Sequence, residues 1–337
     1  MAMTKSWFRF NSITLLIVFI AFVAPLGYLF IYSRQMLKRE AIKRAESVLD
    51  NTTLRVAGYL IEVETATRNM QLQVLDNMQP EALLAYSRQV VEQNPNVNGC
   101  SVTTEPDYFP HLGRYFSAYS VREGDSISTV REAEYEYFDK VWYKNCRDAK
   151  KAVWVDPYDD FNAGTLYASE MIASYSVPLY KPDSTFIGIL STDISLPRFS
   201  KIIASATPYE DSYCIMTGKN GNYLVYPDSD RLLYHTIFDG VNSRLQSDVI
   251  SLGHAMVDGE EGNMLVEMEG RQCLVFYQPV LETGWSIALV CPEESILGSY
   301  NRLGYFFIPL LVVGLLLLIF FNRRAYHAVN SPASKAA

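Results

Sequence analysis

The chain has 337 residues, of which 20% are charged and 49% hydrophobic, so it folds and can build one large core or two smaller ones. Its formal net charge of −8, with Lys/Arg clustering confined to the flank of the first apolar run, argues against nucleic acid as a partner.

In chain order, the first element is an apolar run from Ser12 to Tyr32 without Asp, Glu, Lys, Arg or His. It is near the roughly 20 residues that cross a ~30 Å hydrocarbon layer, so 12–32 is predicted as a transmembrane helix behind a short 1–11 segment. The run is too long for the apolar part of a signal peptide, and no A-x-A-like site follows it. From Met36 to Met78 there is no Pro and one Gly, while Ala45, Val48, Thr52, Val56, Tyr59, Val63, Ala66, Met70 and Val74 recur at steps of three and four. That spacing predicts one amphipathic stalk helix over 33–78, about 60 Å long. Such a helix packs along its own domain, and it can also pair with its copy in a homodimer. Pro80 opens a second helix reaching about Gln93.

Beyond Asn94-Pro95 the texture becomes strands and turns. VNGCSVTT, RYFSAYSV and AVWVDPYDD read as strands, with a Tyr-rich helical stretch near Glu134 to Lys150. MIASYSVPLY and FIGILSTDISL, separated by KPDST, read as a hairpin. Together with the short helix RFSKIIASA they complete a first module, 79–206. A second module, 207–303, repeats the plan: YCIM and YLVYP joined by Lys219-Asn220-Gly221-Asn222, a helical region from Thr236 to Met256, then three strands with Glu-Gly and Glu-Thr-Gly turns. The fold expected is α+β, with two PAS-like antiparallel sheets behind a long helix. A second apolar run, 304–321, is predicted to return through the membrane, leaving 322–337 as a cytoplasmic tail.

Arg323 and Arg324 against Arg302 place the C-terminus, and with two spans the N-terminus, in the cytoplasm. Arg34, Lys38, Arg39, Lys43 and Arg44 run against the rule at the first span, but a domain this large is exported largely regardless of charge. The expected location is therefore the plasma membrane, with the large domain outside.

Cys100, Cys146, Cys214, Cys273 and Cys291 mostly lie inside apolar strand-like runs, where a buried small hydrophobe is the expected role. The odd count leaves at least one unpaired. His111, His235, His254 and His327 are scattered, so neither a metal site nor a cofactor is expected. Nor is there a nucleophile elbow or a P-loop, and the chain is read as a non-enzyme. What carries chemistry is a cluster in the first module. Tyr135, Lys140, Trp142 and Tyr143 fall within two helical turns, Tyr158 and Asp160 follow on a loop, and Asp193 closes the last strand. Aromatic faces, carboxylates for an ammonium and a Lys for a carboxylate suit a small zwitterion; half-buried packing would use the same aromatic residues.

The run Y-x4-K-x-W-Y, then PYDD, then GILSTDISL, resembles the membrane-distal half of a double Cache sensor domain. NGNYLVYP and GWSIALVCP resemble the membrane-proximal half. The resemblance spans nearly all of 36–300 and implies an extracytoplasmic input module of a bacterial receptor. In amino-acid-binding members the pattern reads Y-x4-R-x-W-Y, then Y-x-D, then a later Asp. It therefore implies ligand contacts from Tyr135, Trp142, Tyr143, Tyr158, Asp160 and Asp193. Lys140 stands where those members have Arg, a point charge in place of a planar fork. The segment between Asp160 and Asp193 is also longer than usual. The function expected is small-molecule sensing, of an amino acid, amine or carboxylate, by a membrane-bound dimer. The tail after Phe321 is too short for an output domain, so output is expected from a fuller receptor or from a separate partner, the latter making this an adaptor.

Overall fold

The computed structural model describes residues 2–132, 136–158, 171–204, 207–228, 231–232, 235–241, 246–296, 309, 311–321 and 323–324. The chain divides into one unit of residues 1–44 and 293–337 and another of residues 45–292. Helix α1, Ala2–Asp76, carries Pro25 within its apolar run. Among the described residues it is the one helix long and apolar enough to cross a membrane. The second expected span contributes a shorter apolar helix, Leu311–Phe321, and most of its remaining residues lie outside those described.

Within residues 45–292, the periodic stripe of α1 is spent on the chain's own core. Ala45, Val56, Val63 and Val74 are fully buried. The Thr67 hydroxyl bonds the Val63 carbonyl at 2.7 Å, the local back-bond that lets Thr sit inside a helix. Helix α2, Pro80–Gln93, starts at the Pro that sets its first φ, as expected.

The first sheet has six antiparallel strands in the order β3-β2-β1-β6-β5-β4. They are β1 Gly99–Thr104, β2 Ser117–Glu123, β3 Ser126–Arg131, β4 Val153–Tyr158, β5 Ile172–Tyr180 and β6 Phe186–Ser195. β3 is not foreseen by sequence; SISTVR has only Ile127 and Val130 to mark a strand, because it is a partly exposed edge. The helical stretch expected near Glu134 to Lys150 is the shorter α3, Val141–Ala149. Lys140 has extended backbone (ψ 143) and so delays the helix start. Alternation puts Ile189, Ser191 and Asp193 on one face of β6 and Leu190, Thr192 and Ile194 on the other. The second face meets α1, where Thr67 and Thr192 share a buried hydroxyl bond of 2.7 Å, and α2, where Ser87 and Ser120 do the same at 2.9 Å. The first face carries α3.

Helix α4, Leu196–Ala204, leads to a five-stranded sheet in the order β8-β7-β11-β10-β9. Its strands are β7 Tyr213–Thr217, β8 Tyr223–Val225, β9 Gly262–Met268, β10 Arg271–Val280 and β11 Trp285–Pro292. Of the helical region expected over Thr236 to Met256, the described residues show α5, Ser247–Val257. Ahead of it the Asp239 N–H donates to the Thr236 carbonyl at 3.1 Å and the Phe238 N–H to the Thr236 hydroxyl at 3.3 Å, which closes a turn there. Leu252 and Met256 of α5 pack on Val275, Ala288 and Val290 to form the core of this sheet.

Candidate functional site

Asp193 lies on a central strand, directly opposite Gly99 of β1 on one side and Ser174 of β5 on the other. Its side chain is 5% exposed. Ser174 Oγ donates to Asp193 Oδ1 at 2.6 Å, and the Tyr119 hydroxyl donates to Oδ2 at 3.3 Å. Tyr158 OH and Ser174 Oγ are 2.9 Å apart, which ties β4 into the same network. A Cβ on Gly99 would fall 2.7 Å from Asp193 Oδ2 and 2.9 Å from Tyr119 OH, so only glycine leaves the carboxylate its place.

Burial pushes the Asp193 carboxyl up to about 6, while the Ser174 and Tyr119 donors pull it back. Among the described residues no cation pairs with it; two hydroxyls are its partners. A buried carboxylate in that state gains more from an incoming ammonium than one already paired.

Four residues back along the strand, about 13 Å away, Ile189 on the same face meets a hydrophobic cluster of Tyr137, Trp142, Tyr143 and Val155. The floor between is small and hydroxylated. Ser176 and Ser191 share a bond of 2.9 Å there, and Thr103 and Ser117, in register with Ile189, share one of 2.8 Å. Trp142 and Tyr143 are buried in this cluster, which runs from Ile189 to Val155, and Val155 stands beside Ser174 in the register of β4 and β5. Tyr143 donates to Glu105 Oε1 at 2.5 Å, and burial together with that carboxylate pushes its ionisation up. Lys140 caps α3 and is partly exposed. The structure thus brings Tyr158 and Asp193 into one network. Trp142, Tyr143 and Lys140 belong to the α3 end, while Tyr135 and Asp160 lie outside the described residues.

Tyr119, Ser174 and Gly99 are not singled out by the sequence. The signal for Ser174 is faint but real: Ser174 and Ser176 alternate in an otherwise apolar strand, which marks one polar-lined face. Elsewhere, a cavity of about 680 Å³ is lined by Tyr223, Tyr226 and Arg231. Its cation is already occupied, by Tyr226 OH at 3.2 Å and Glu269 at 3.6 Å.

The family model described as Cache domain matches residues 33–300. A methyl-accepting chemotaxis protein, PscA of Pseudomonas syringae pv. tomato, is 26% identical over 165 residues, 49% of this chain. The match spans 24% of that relative's length. The extracellular domain of mmHK1S-Z3, assigned to a histidine kinase, superposes with a TM-score of 0.65 at 20% identity, covering 78% of this chain and 98% of that one. The ligand-binding domain of the Pseudomonas aeruginosa PAO1 amino acid chemoreceptor PctB with L-Arg gives a TM-score of 0.53 at 17% identity, over 74% and 94%.

Proposed function

The chain belongs to the Cache-domain family, and on that premise we propose that it is the sensory part of a bacterial transmembrane receptor for a small zwitterion. Its ligand is an amino acid, held over the face of the six-stranded sheet. The observation that carries this reading is the buried Asp193 carboxylate, satisfied by two hydroxyls and by no cation among the described residues. Asp193, with Asp160, receives the ammonium; Lys140 receives the carboxylate; Tyr135, Trp142, Tyr143 and Tyr158 supply walls and hydroxyls. PctB, a structural neighbour, was solved with L-Arg and L-Gln, which supports the ligand class.

The test is a melting-temperature screen of the full chain in detergent micelles with L-Arg, L-Gln and L-Asn. A ligand confined to the folded state stabilises it by about 2.7 kcal/mol at a hundredfold excess over Kd. Asp193→Ala is expected to remove the shift, and Lys140→Arg to keep or strengthen it. Agmatine, which is L-Arg without its carboxylate, is expected to shift the melt less than L-Arg. An equal shift would make this an amine site and remove Lys140 from it.

The same reading places residues 33–303 outside the plasma membrane between two spans, with 79–206 as the membrane-distal module and 207–303 as the proximal one. Output then runs through a cytoplasmic domain or partner. Alkaline phosphatase fused after Gly218 should be active, and fused after Arg324 inactive; the reverse pattern would sink the topology.

A further inference from the structure

The edge strand β4 has two ends of different business. A register shift between Val155 and Tyr158 lets consecutive parts of the strand face opposite ways. Tyr158 reaches Ser174 and, through it, Asp193. Asp156, two residues earlier, points to the other sheet. Its Oδ1 accepts the Trp285 indole N–H at 2.8 Å, and its Oδ2 accepts the Lys219 backbone N–H at 3.3 Å. One carboxylate thus holds both hairpin turns at that end of the five-stranded sheet, β7–β8 and β10–β11.

The surroundings are built for that contact. A Cβ on Gly218 would lie 2.8 Å from Asp156 Oδ2, so glycine is what lets the turn come this close. Lys219 Nζ returns a bond to the Trp154 carbonyl at 3.1 Å, and the Trp154 and Trp285 rings sit 5.5 Å apart. Trp154 Nε1 in turn donates to Glu64 of α1 at 2.8 Å. β4 itself is bonded to one neighbour, β5, and its ladder is interrupted at the bulge. This edge strand with an interrupted ladder touches both the Asp193 network and the second sheet.

We propose that Asp156 is the positioning residue through which occupancy of the Asp193 site is passed to the five-stranded sheet. A ligand that engages Asp193 and Tyr158 re-seats β4 at its bulge, and the carboxylate of Asp156 carries that change to Lys219 and Trp285. The ligand half of this statement rests on the site proposed above; the mechanical half does not.

Amide hydrogen exchange of the full chain in detergent micelles tests it in peptides covering 215–222 and 281–287. Without ligand, Tyr158→Phe removes the hydroxyl that meets Ser174 and leaves Asp156 intact. It is expected to raise exchange in both peptides by about threefold or more. In an Asp156→Ala background the same change is expected to add less than about 1.5-fold, since the link is already cut. Trp285→Phe, which removes the indole N–H together with part of a buried ring, should reproduce part of the uncoupling. Equal effects of Tyr158→Phe in both backgrounds, or none in the wild type, would overturn the proposal. With L-Arg, L-Gln or L-Asn present, Asp156→Ala should retain protection in 172–195 and lose it in 215–222. Protection lost in both would make Asp156 merely structural. If none of the three binds, the proposed ligand class fails, and the ligand-free comparison still decides the coupling.

Discussion

Ser174 and Asp193 stand directly opposite each other on neighbouring strands, and the hydroxyl of the first donates to the carboxylate of the second across 2.6 Å. The pair is buried in a sheet whose other strands could have covered it with apolar side chains, yet the adjoining positions are Gly99 and Tyr119. A charge kept there costs stability in the empty protein, and that cost is measurable.

The Asp193 carboxyl titrates near 6 in the fold, above its usual value of 3.8, so the folded state holds the proton more tightly than the unfolded chain. Its contribution to stability is full below about pH 4 and is lost as the pH rises through about 6. The loss is on the order of 2–3 kcal/mol. Asp193→Asn, which mimics the neutral acid, is expected to melt increasingly above the wild type between about pH 4 and pH 7. A pH-independent gap between the two melting curves would contradict the assignment. Ligand carrying an ammonium should shrink the gap by stabilising the wild type alone.

Gly99→Ala forces a methyl against Asp193 Oδ2 and Tyr119 OH at 2.7 and 2.9 Å. Overpacking of that kind costs roughly 1–3 kcal/mol, and here it displaces the carboxylate as well. The melting temperature should fall and the ligand-induced shift should disappear together. Retained binding in a destabilised protein would detach Gly99 from the site.

Cys214 and Cys291 are buried, and burial pushes both thiols up to about 12, leaving almost no thiolate at neutral pH. Neither should react with a maleimide until the protein unfolds. Replacing either by Ala should lower stability by about 1 kcal/mol without altering ligand affinity. A binding defect at unchanged stability would give these cysteines a role that their position does not.

The stripe of α1 that periodicity marks out is buried in the chain's own core, so it is not the seam of a dimer. The exposed apolar row is Leu54, Ile61 and Leu72, at 70, 50 and 66% exposure and helical spacing. Single cysteines at Leu54 and Ile61 should cross-link between subunits in membranes, and at Val56 and Val63 they should not. No cross-linking at either set would leave α1 as packing alone.

The sequence exposes local elements well and non-local ones poorly. Pro80 and Gln93 bound α2 because a proline start and an Asn-Pro exit are read within one segment. The strands of the five-stranded sheet are legible from Asn-Gly, Glu-Gly and Glu-Thr-Gly turns. β3 escapes because its two apolar residues, Ile127 and Val130, are three apart and so fall on opposite faces of a strand, leaving no period of two to read. Asp193 and Tyr158 are found by pattern, but Ser174, Tyr119 and Gly99 acquire meaning only through strand register, which brings together residues 19, 74 and 94 positions from Asp193. The tie from Asp156 to Trp285, 129 residues apart, has no local signature at all.

That tie also bears on how such sensors can be recombined. Asp156, Gly218, Lys219 and Trp285 form a matched set across the two sheets. A chimera that joins the six-stranded sheet to a foreign partner lacking the glycine or the indole donor would strand a carboxylate at the seam. Transplanting specificity from one receptor to another therefore calls for moving these four positions as a block, or for grafting only the lining around Asp193 onto an undisturbed junction.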